Sequence, residues 1–351
     1  MKIVSKAPCR VDLAGGTLDI WPLYLFHQDS VTVNFAVDRY TYCDLTSRAD
    51  GGYRICSRDL DCSSEFANLD GLLDTPNPKF KLVKEMIRFF APHLREQPCG
   101  WNVETHSEAP AGAGISGSSA LLIATASAFN KICKTRYTIE KIREIAQNIE
   151  ARIIRVPTGC QDYYPAMYGG VSAIHLTPSG IHRIRLPVDL GELNQRFVLA
   201  YTGEPRNSGI NNWEVTKAHI GGDSKVHRNF DRIAEIANGM RTALEANDWT
   251  GVSQLLREEW THRKKNAPGI TTPLIDKLVD ATRRKGALAG KVCGAGGGGC
   301  VLFLVEPGSQ HRVAAAIEQL GASVLHTAVA PCGVEVKSGA ATANHRTAAG
   351  A

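Results

Sequence analysis

The stretch EAPAGAGISGSSALLIA, residues 108–124, sets glycines and alanines beside two serines at the head of an apolar run. Bare backbone next to hydroxyls suits a phosphate. Glycine turns tightly and lets N–H groups approach an anion closely. A helix start adds partial positive charge. Two familiar phosphate-binding patterns nearly fit. Gly112, Gly114 and Gly117 spell G-x-G-x-x-G, but a dinucleotide site needs a strand running directly into the glycines and a second strand after the helix. Here EAPA intervenes, and another helical pattern follows. Gly112, Gly117 and Ser118 also approach the P-loop, except that serine stands where that motif has its lysine. Such a loop can cradle phosphates with N–H groups and offer a hydroxyl to Mg²⁺. The positive charge must then come from elsewhere in the chain.

The elements that must hold this loop read as mixed α and β. KIVSKAPCRVDLAGG looks like short strands broken by Pro8 and the Gly15-Gly16 turn, and SVTVNFAVDRYTYCDL alternates as a strand. Residues 78–95 carry a helical pattern, and GWNVETHSE alternates again. A helix is expected from about Ser118 to Lys131 and another from Thr138 to about Arg155. The strand-like RFVLAYTG opens a second region with helices at 225–245, 248–260 and 271–286, the buried strand GCVLFLVE and a helix on HRVAAAIEQLG. The division expected is 1–190, 191–337 and a small, polar, flexible tail at 338–351.

Composition sets bounds. The 351 residues suffice for two domains. A net charge of +5 is mild, and the clusters Arg263-Lys264-Lys265 and Arg283-Arg284-Lys285 read as solvated helix faces, so no nucleic-acid partner is expected. No apolar run is long enough for a bilayer, and no signal peptide is evident. None of the ten cysteines forms a C-x-x-C pair, which points to buried thiols in a reducing cytoplasm.

Three separated segments, KAPCRVDLAGGTLD (6–19), PAGAGISGSSA (110–120) and KVCGAGGGGC (291–300), together resemble the three motifs of the GHMP kinases, the family named for galactokinase, homoserine kinase, mevalonate kinase and phosphomevalonate kinase. QDYYPAMYGG (161–170) resembles its catalytic-aspartate segment. Within the family, the Gly-rich first turn, the YTG..R segment and the helix REEWTHRKKNAPGI are similar to sugar kinases of the heptose 7-phosphate type. The resemblance implies an α+β, two-domain fold, with an N-terminal unit like ribosomal protein S5 domain 2 and a ferredoxin-like C-terminal unit. It implies ATP-dependent phosphorylation of a small sugar or sugar phosphate at the anomeric hydroxyl. A galactokinase-like or mevalonate-type kinase and a non-catalytic sugar sensor stand as alternatives.

Residue by residue, the resemblance implies that Asp162 is catalytic and that Arg10 pairs with it, keeps it ionised and faces the transferred phosphoryl group. Pro110, Gly112, Ala113, Gly114, Ser116, Gly117, Ser118 and Ser119 would bind ATP. Asp19, Gly15, Gly16, Thr202, Gly203, Arg206, Gly296 and Gly297 would bind the acceptor. Glu150 lies at the edge of its helix's apolar stripe, near Ile139 and Ala146, where a carboxylate can reach a cleft. The resemblance makes it a Mg²⁺ ligand opposite Ser118 or its neighbour Ser119.

Overall fold

The computed structural model describes residues 1–204 and 208–339. Its first sheet gathers β1 (Lys2–Ala14), β2 (Val31–Arg48), β3 (Tyr53–Ser57), β4 (Cys62–Phe66), β5 (Gly100–Ser107), β6 (Val171–Thr177) and β7 (Gly180–Arg185). The long β2 is the hinge of this sheet. Most of it, from Val33 to Thr46, pairs β1, its first part pairs β6, and its second part pairs β5. Pro8 does not break the first strand as expected. It sits at a register shift between Pro8 and Cys9, where a missing N–H is tolerated.

Helices α1 (Leu69–Asp74), α2 (Lys81–Arg95), α3 (Gly117–Cys133), α4 (Ile139–Ile154) and α5 (Tyr163–Tyr168) cover this sheet. The α3 helix packs on β1 and β2, with the run Ala120 to Phe129 almost wholly buried. Thr138 caps α4 by accepting the Lys141 N–H, as Ser and Thr do at N-caps.

After α6 (Leu190–Asn194), the second sheet begins at β8 (Phe197–Tyr201). Helices α7 (Ser208–Ile220), α8 (Ser224–Glu245), α9 (Trp249–Arg263) and α10 (Pro273–Arg283) follow, then β9 (Ala287–Val292), β10 (Cys300–Val305), α11 (Gln310–Gln319) and β11 (Ser323–Val324). The spatial order β11-β8-β10-β9, all antiparallel, is that of a split βαβ ferredoxin-like unit. β10 is buried at every position, so its apolar run shows no alternation.

The chain then returns to the first sheet. β12 (Glu335–Gly339) pairs antiparallel with the outer edge of β1. This corrects the expected division, which put residues 335–337 in the second unit and 338–339 in the tail. The edge of β1 would otherwise expose unpaired backbone. None of the cysteines is in a disulfide, but only Cys9, Cys43, Cys160, Cys293 and Cys300 are buried and Cys332 is exposed. Among the described residues no helix is long and apolar enough to cross a membrane.

Candidate active site

A cavity of about 420 Å³ opens between the two units, walled by β1, the loop before α3, α4, the start of α5, α9 and the loop after β9. Alternation along β1 decides what reaches it. Val11 and Leu13 point into the core, while Arg10 and Asp12 share the opposite face.

Arg10 is buried and four-fold engaged. Its Nε and Nη2 both donate to Asp162 Oδ1, at 2.8 and 2.6 Å. Its Nη1 donates to the Gly114 carbonyl at 2.8 Å and to Asp12 Oδ1 at 3.3 Å. Burial opposes the guanidinium charge, but Asp162 and Asp12 more than offset it and raise the Arg10 pKa. Both bonds to Asp162 land on one oxygen. Oδ2 has no partner among the described residues, and the Asp162 side chain remains 28% exposed at the cavity.

Asp19 sits on the same wall. Its Oδ2 accepts the Gln161 N–H at 2.8 Å. Burial, then the nearby Asp162 charge, push its carboxyl up to about 6. Gly159 makes this approach possible, because a Cβ there would lie 1.9 Å from Asp19 Oδ2.

The loop before α3 winds through positive φ at Gly112 (68°), Gly114 (76°) and Ser116 (61°). Its backbone is strapped to β1 by the Arg10 N–H to Ile115 carbonyl bond. The second glycine loop backs it. Cys300 N–H donates to the Ala113 carbonyl at 2.7 Å, and a Cβ on Gly299 would lie 2.7 Å from that same oxygen.

Glu150 is buried beneath the start of α3. Ser118 Oγ donates to its Oε1 at 2.5 Å, and Ser119 Oγ and the Tyr163 hydroxyl donate to its Oε2 at 2.9 and 2.5 Å. Burial raises its pKa against these bonds. Ser118 lines the cavity, whereas Ser119 is buried behind it.

The structure therefore brings Arg10, Asp19, Asp162, Glu150, Ser118 and the 110–118 loop to one cavity. It does not bring Gly15, Gly16, Thr202, Gly203, Gly296 or Gly297 to its wall. A Cβ on Gly15 would meet the Val31 carbonyl at 2.2 Å, and one on Gly16 would meet Arg263 Nη1 at 2.2 Å. Gly296 makes room for Ile270 in the same way. Thr202 Oγ1 is spent on the Gly299 carbonyl at 3.0 Å. Arg206 lies outside the described residues.

Two features escaped the sequence reading. Arg263, expected on a solvated face, is 3% exposed, donates to the Gly294 carbonyl at 2.6 Å and lines the cavity. Behind it Lys291 Nζ lies 2.5 Å from Asp12 Oδ2, and both side chains are fully buried. Burial alone would raise the Asp12 pKa, but Lys291, Arg10 and Arg263 hold it well below the ordinary carboxylate range. The i, i+4 pair Glu259 and Arg263 on α9 was the available signal, one face carrying both an acid and a base.

A buried arginine paired with a cavity-facing aspartate, a positive-φ glycine loop at a helix start and a hydroxyl–carboxylate pair in one cleft suit phosphoryl transfer. The chain matches the family models for the GHMP kinases N terminal domain over residues 81–170 and the GHMP kinases C terminal domain over 240–323. It belongs to the GHMP kinases and is an ATP-dependent phosphotransferase with an alcohol as acceptor. A D-glycero-alpha-D-manno-heptose 7-phosphate kinase from Campylobacter jejuni is 27% identical over 90% of this chain and 93% of its own length. A mevalonate kinase from Thermococcus sibiricus is 24% identical over 96% of this chain and 99% of its own. The crystal structure of a D-glycero-D-manno-heptose 1-phosphate kinase from Bacteroides thetaiotaomicron superposes with a TM-score of 0.75 at 23% identity, covering 96% of this chain and 99% of that one.

Proposed function

We propose that the chain transfers the γ-phosphoryl group of Mg·ATP to a hydroxyl, the anomeric one, of a small sugar or sugar phosphate. One observation carries this reading above the rest: Asp162 presents to the cavity an oxygen that no described residue engages, while Arg10 fixes the other. Oδ2 is the atom that orients the acceptor hydroxyl and takes its proton. Arg10, held in register by the Gly114 carbonyl, supplies positive charge where the phosphoryl group passes. The lysine missing from the glycine loop is thereby replaced by an arginine from β1.

The phosphates would rest on the N–H groups of residues 112–118, at the positive end of α3. Leu60, Val83, Leu121 and Ile154 form apolar wall of the same cavity and suit a purine ring. Ser118 and Glu150 fit Mg²⁺: they are hard oxygen donors 2.5 Å apart, and the buried carboxylate lacks a cationic partner among the described residues. When bound, the ion neutralises charge on the β- and γ-phosphates. Ser118 is the serine on the cavity side, and Ser119 steadies Glu150 from behind.

Asp19 and Asp162 make the acceptor pocket anionic, which favours a polyhydroxylated acceptor over the carboxylate of mevalonate. Arg263 is the cation on this wall that a phosphorylated sugar would face. Cysteines that form no disulfide agree with a reducing, cytoplasmic setting. A sugar sensor would have no need of the Ser118–Glu150 pair. The test is ATP consumption over hexoses, heptose phosphates, galactose, N-acetylhexosamines and mevalonate. Turnover with a sugar or sugar phosphate is expected. Turnover of mevalonate alone would overturn the acceptor assignment.

A further inference from the structure

Away from the cleft, three histidines meet. His27 follows the short 3₁₀ turn Leu23–Phe26, His219 lies in the last turn of α7, and His227 lies in the first turn of α8. One ligating atom from each falls within 4.8 Å of the others. His27 Nε2 and His219 Nε2 stand 2.7 Å apart, and the rings of His219 and His227 stack with centroids 3.9 Å apart. His27 Nδ1 faces Asp231 Oδ1 at 2.7 Å. That carboxylate fixes the His27 proton on Nδ1 and turns the Nε2 lone pair toward His219.

We propose that His27, His219 and His227 form a binding site for a borderline divalent cation of the Zn²⁺ class, distinct from the Mg²⁺ of the reaction. Three imidazoles select zinc, cobalt, nickel or copper over magnesium, which takes oxygen ligands. Asp231 is the outer carboxylate that metal-bound histidines characteristically engage. Tetrahedral Zn–N bonds of about 2.0–2.1 Å set neighbouring nitrogens about 3.3 Å apart. The His27–His219 pair needs only a small ring rotation to reach that spacing. His27 and His219 are buried, with Phe230 ring centroids 5.5 and 5.3 Å from theirs. His227 is partly exposed, which leaves a water-accessible fourth position. The metal-free alternative is a hydrogen-bond relay from Asp231 through His27 to His219. In it His227 Nε2 donates to the His219 carbonyl at 2.8 Å, which leaves His227 Nδ1 as the nitrogen that ring offers an ion.

The bound ion would staple three segments: the turn that follows Asp19, the end of α7 and the start of α8. Asn212, earlier on α7, lines the active cavity, so the staple would hold an acceptor-side helix in place.

The test is titration of chelator-stripped, full-length protein with Zn²⁺ and separately with Co²⁺, read by metal content, thermal midpoint and the cobalt spectrum. One equivalent should bind, raise the midpoint and give ligand-field bands without thiolate-to-cobalt charge transfer. Excess Mg²⁺ should not displace it. Asp231→Asn should weaken binding about 10–100-fold, and His219→Ala by at least about 100-fold. If His219→Ala folds poorly by circular dichroism, His227→Ala, at a partly exposed ring, carries the same expectation. The site does not exist if wild-type protein takes up no stoichiometric zinc, if His227→Ala binds zinc as tightly as wild type, or if cobalt shows the charge-transfer band of cysteine ligation.

Discussion

β1 carries two acid–base pairs two residues apart, and they do opposite things. Arg10–Asp162 faces the cavity with one carboxylate oxygen unengaged among the described residues. Asp12–Lys291 is sealed, with Oδ2 taken by Lys291 Nζ and Oδ1 by the Gly294 N–H at 3.0 Å. Both pairs join β1 to a distant part of the chain. Only the first has a lone pair left for a substrate. The second locks the glycine loop after β9 against β1, and that loop in turn backs the 112–114 backbone. The same ion-pair chemistry serves reaction where it is left unsaturated, and serves assembly where it is saturated.

Breaking the open pair should have the largest effect. Asp162→Asn is nearly isosteric and keeps a hydrogen-bonding oxygen for Arg10, but it removes the charge that activates the acceptor. A positioned acid–base group contributes about 10²–10⁴-fold. The expected result is a fall in kcat of at least about 10²-fold in steady-state assays, with ATP affinity in equilibrium titration nearly unchanged. Arg10→Gln should also lower kcat, and the double variant should lose less than the product of the single losses because the two act as a unit. Retention of most of kcat in Asp162→Asn would move the catalytic role to another carboxylate.

Breaking the sealed pair should strike stability first. Lys291→Met leaves Asp12 buried beside Arg10 and Arg263 without its shortest contact. Removing one partner of a buried ion pair costs about 3–5 kcal/mol. Denaturant unfolding should show a loss of that order, and Asp12→Asn combined with Lys291→Met should recover part of it. A loss below about 1 kcal/mol in the single variant would mean that Arg263 and Arg10 suffice for Asp12.

The contrast also explains what could be read from sequence. The glycines of the 110–118 loop and the helix phase of Glu150 carry local information, whereas Arg10 and the Asp162 segment were marked by their resemblance to the family's motifs. Lys291 meets Asp12 across 279 positions, and nothing local in either stretch announces a partner. Arg263 stands in a run of three basic residues, so the helix face looked solvated. Its burial depends on Gly16 leaving room for the guanidinium. The glycines at 15, 16, 296 and 297 were expected at the acceptor from the family resemblance. Gly15, Gly16 and Gly296 instead admit a neighbouring strand, an arginine and a loop. The ferredoxin-like second unit was expected through the family resemblance alone, since neither β9 nor the two-residue β11 was read from the sequence, and the return of β12 to β1 had no sequence signal beyond five residues of weak alternation.

Asp19 offers the finest discrimination, because it is an open-site carboxylate with no cation in direct contact among the described residues. Burial lifts its carboxyl to about 6 in the folded chain, above the ordinary 3.8. Between roughly pH 4 and 6 the folded chain therefore holds a proton that the unfolded chain has released. Asp19 thus favours the fold below about pH 4, and that contribution is lost as pH rises through 6. Above pH 6 the ionised carboxylate is a strain kept for binding. Asp19→Asn removes it while an amide oxygen can still accept the Gln161 N–H. The variant should be more stable than wild type at pH 8, on the order of 1–3 kcal/mol by a two-unit shift, and equal to it near pH 4. It should also raise KM for the sugar far more than KM for ATP. In wild type the sugar KM should climb as pH falls below about 6, and in Asp19→Asn that dependence should disappear. Unfolding curves at the two pH values, paired with KM profiles, separate the effects. A variant less stable than wild type at pH 8 would show that the Gln161 bond to the ionised form outweighs its desolvation, and Asp19 would then belong with the sealed pair rather than the open one.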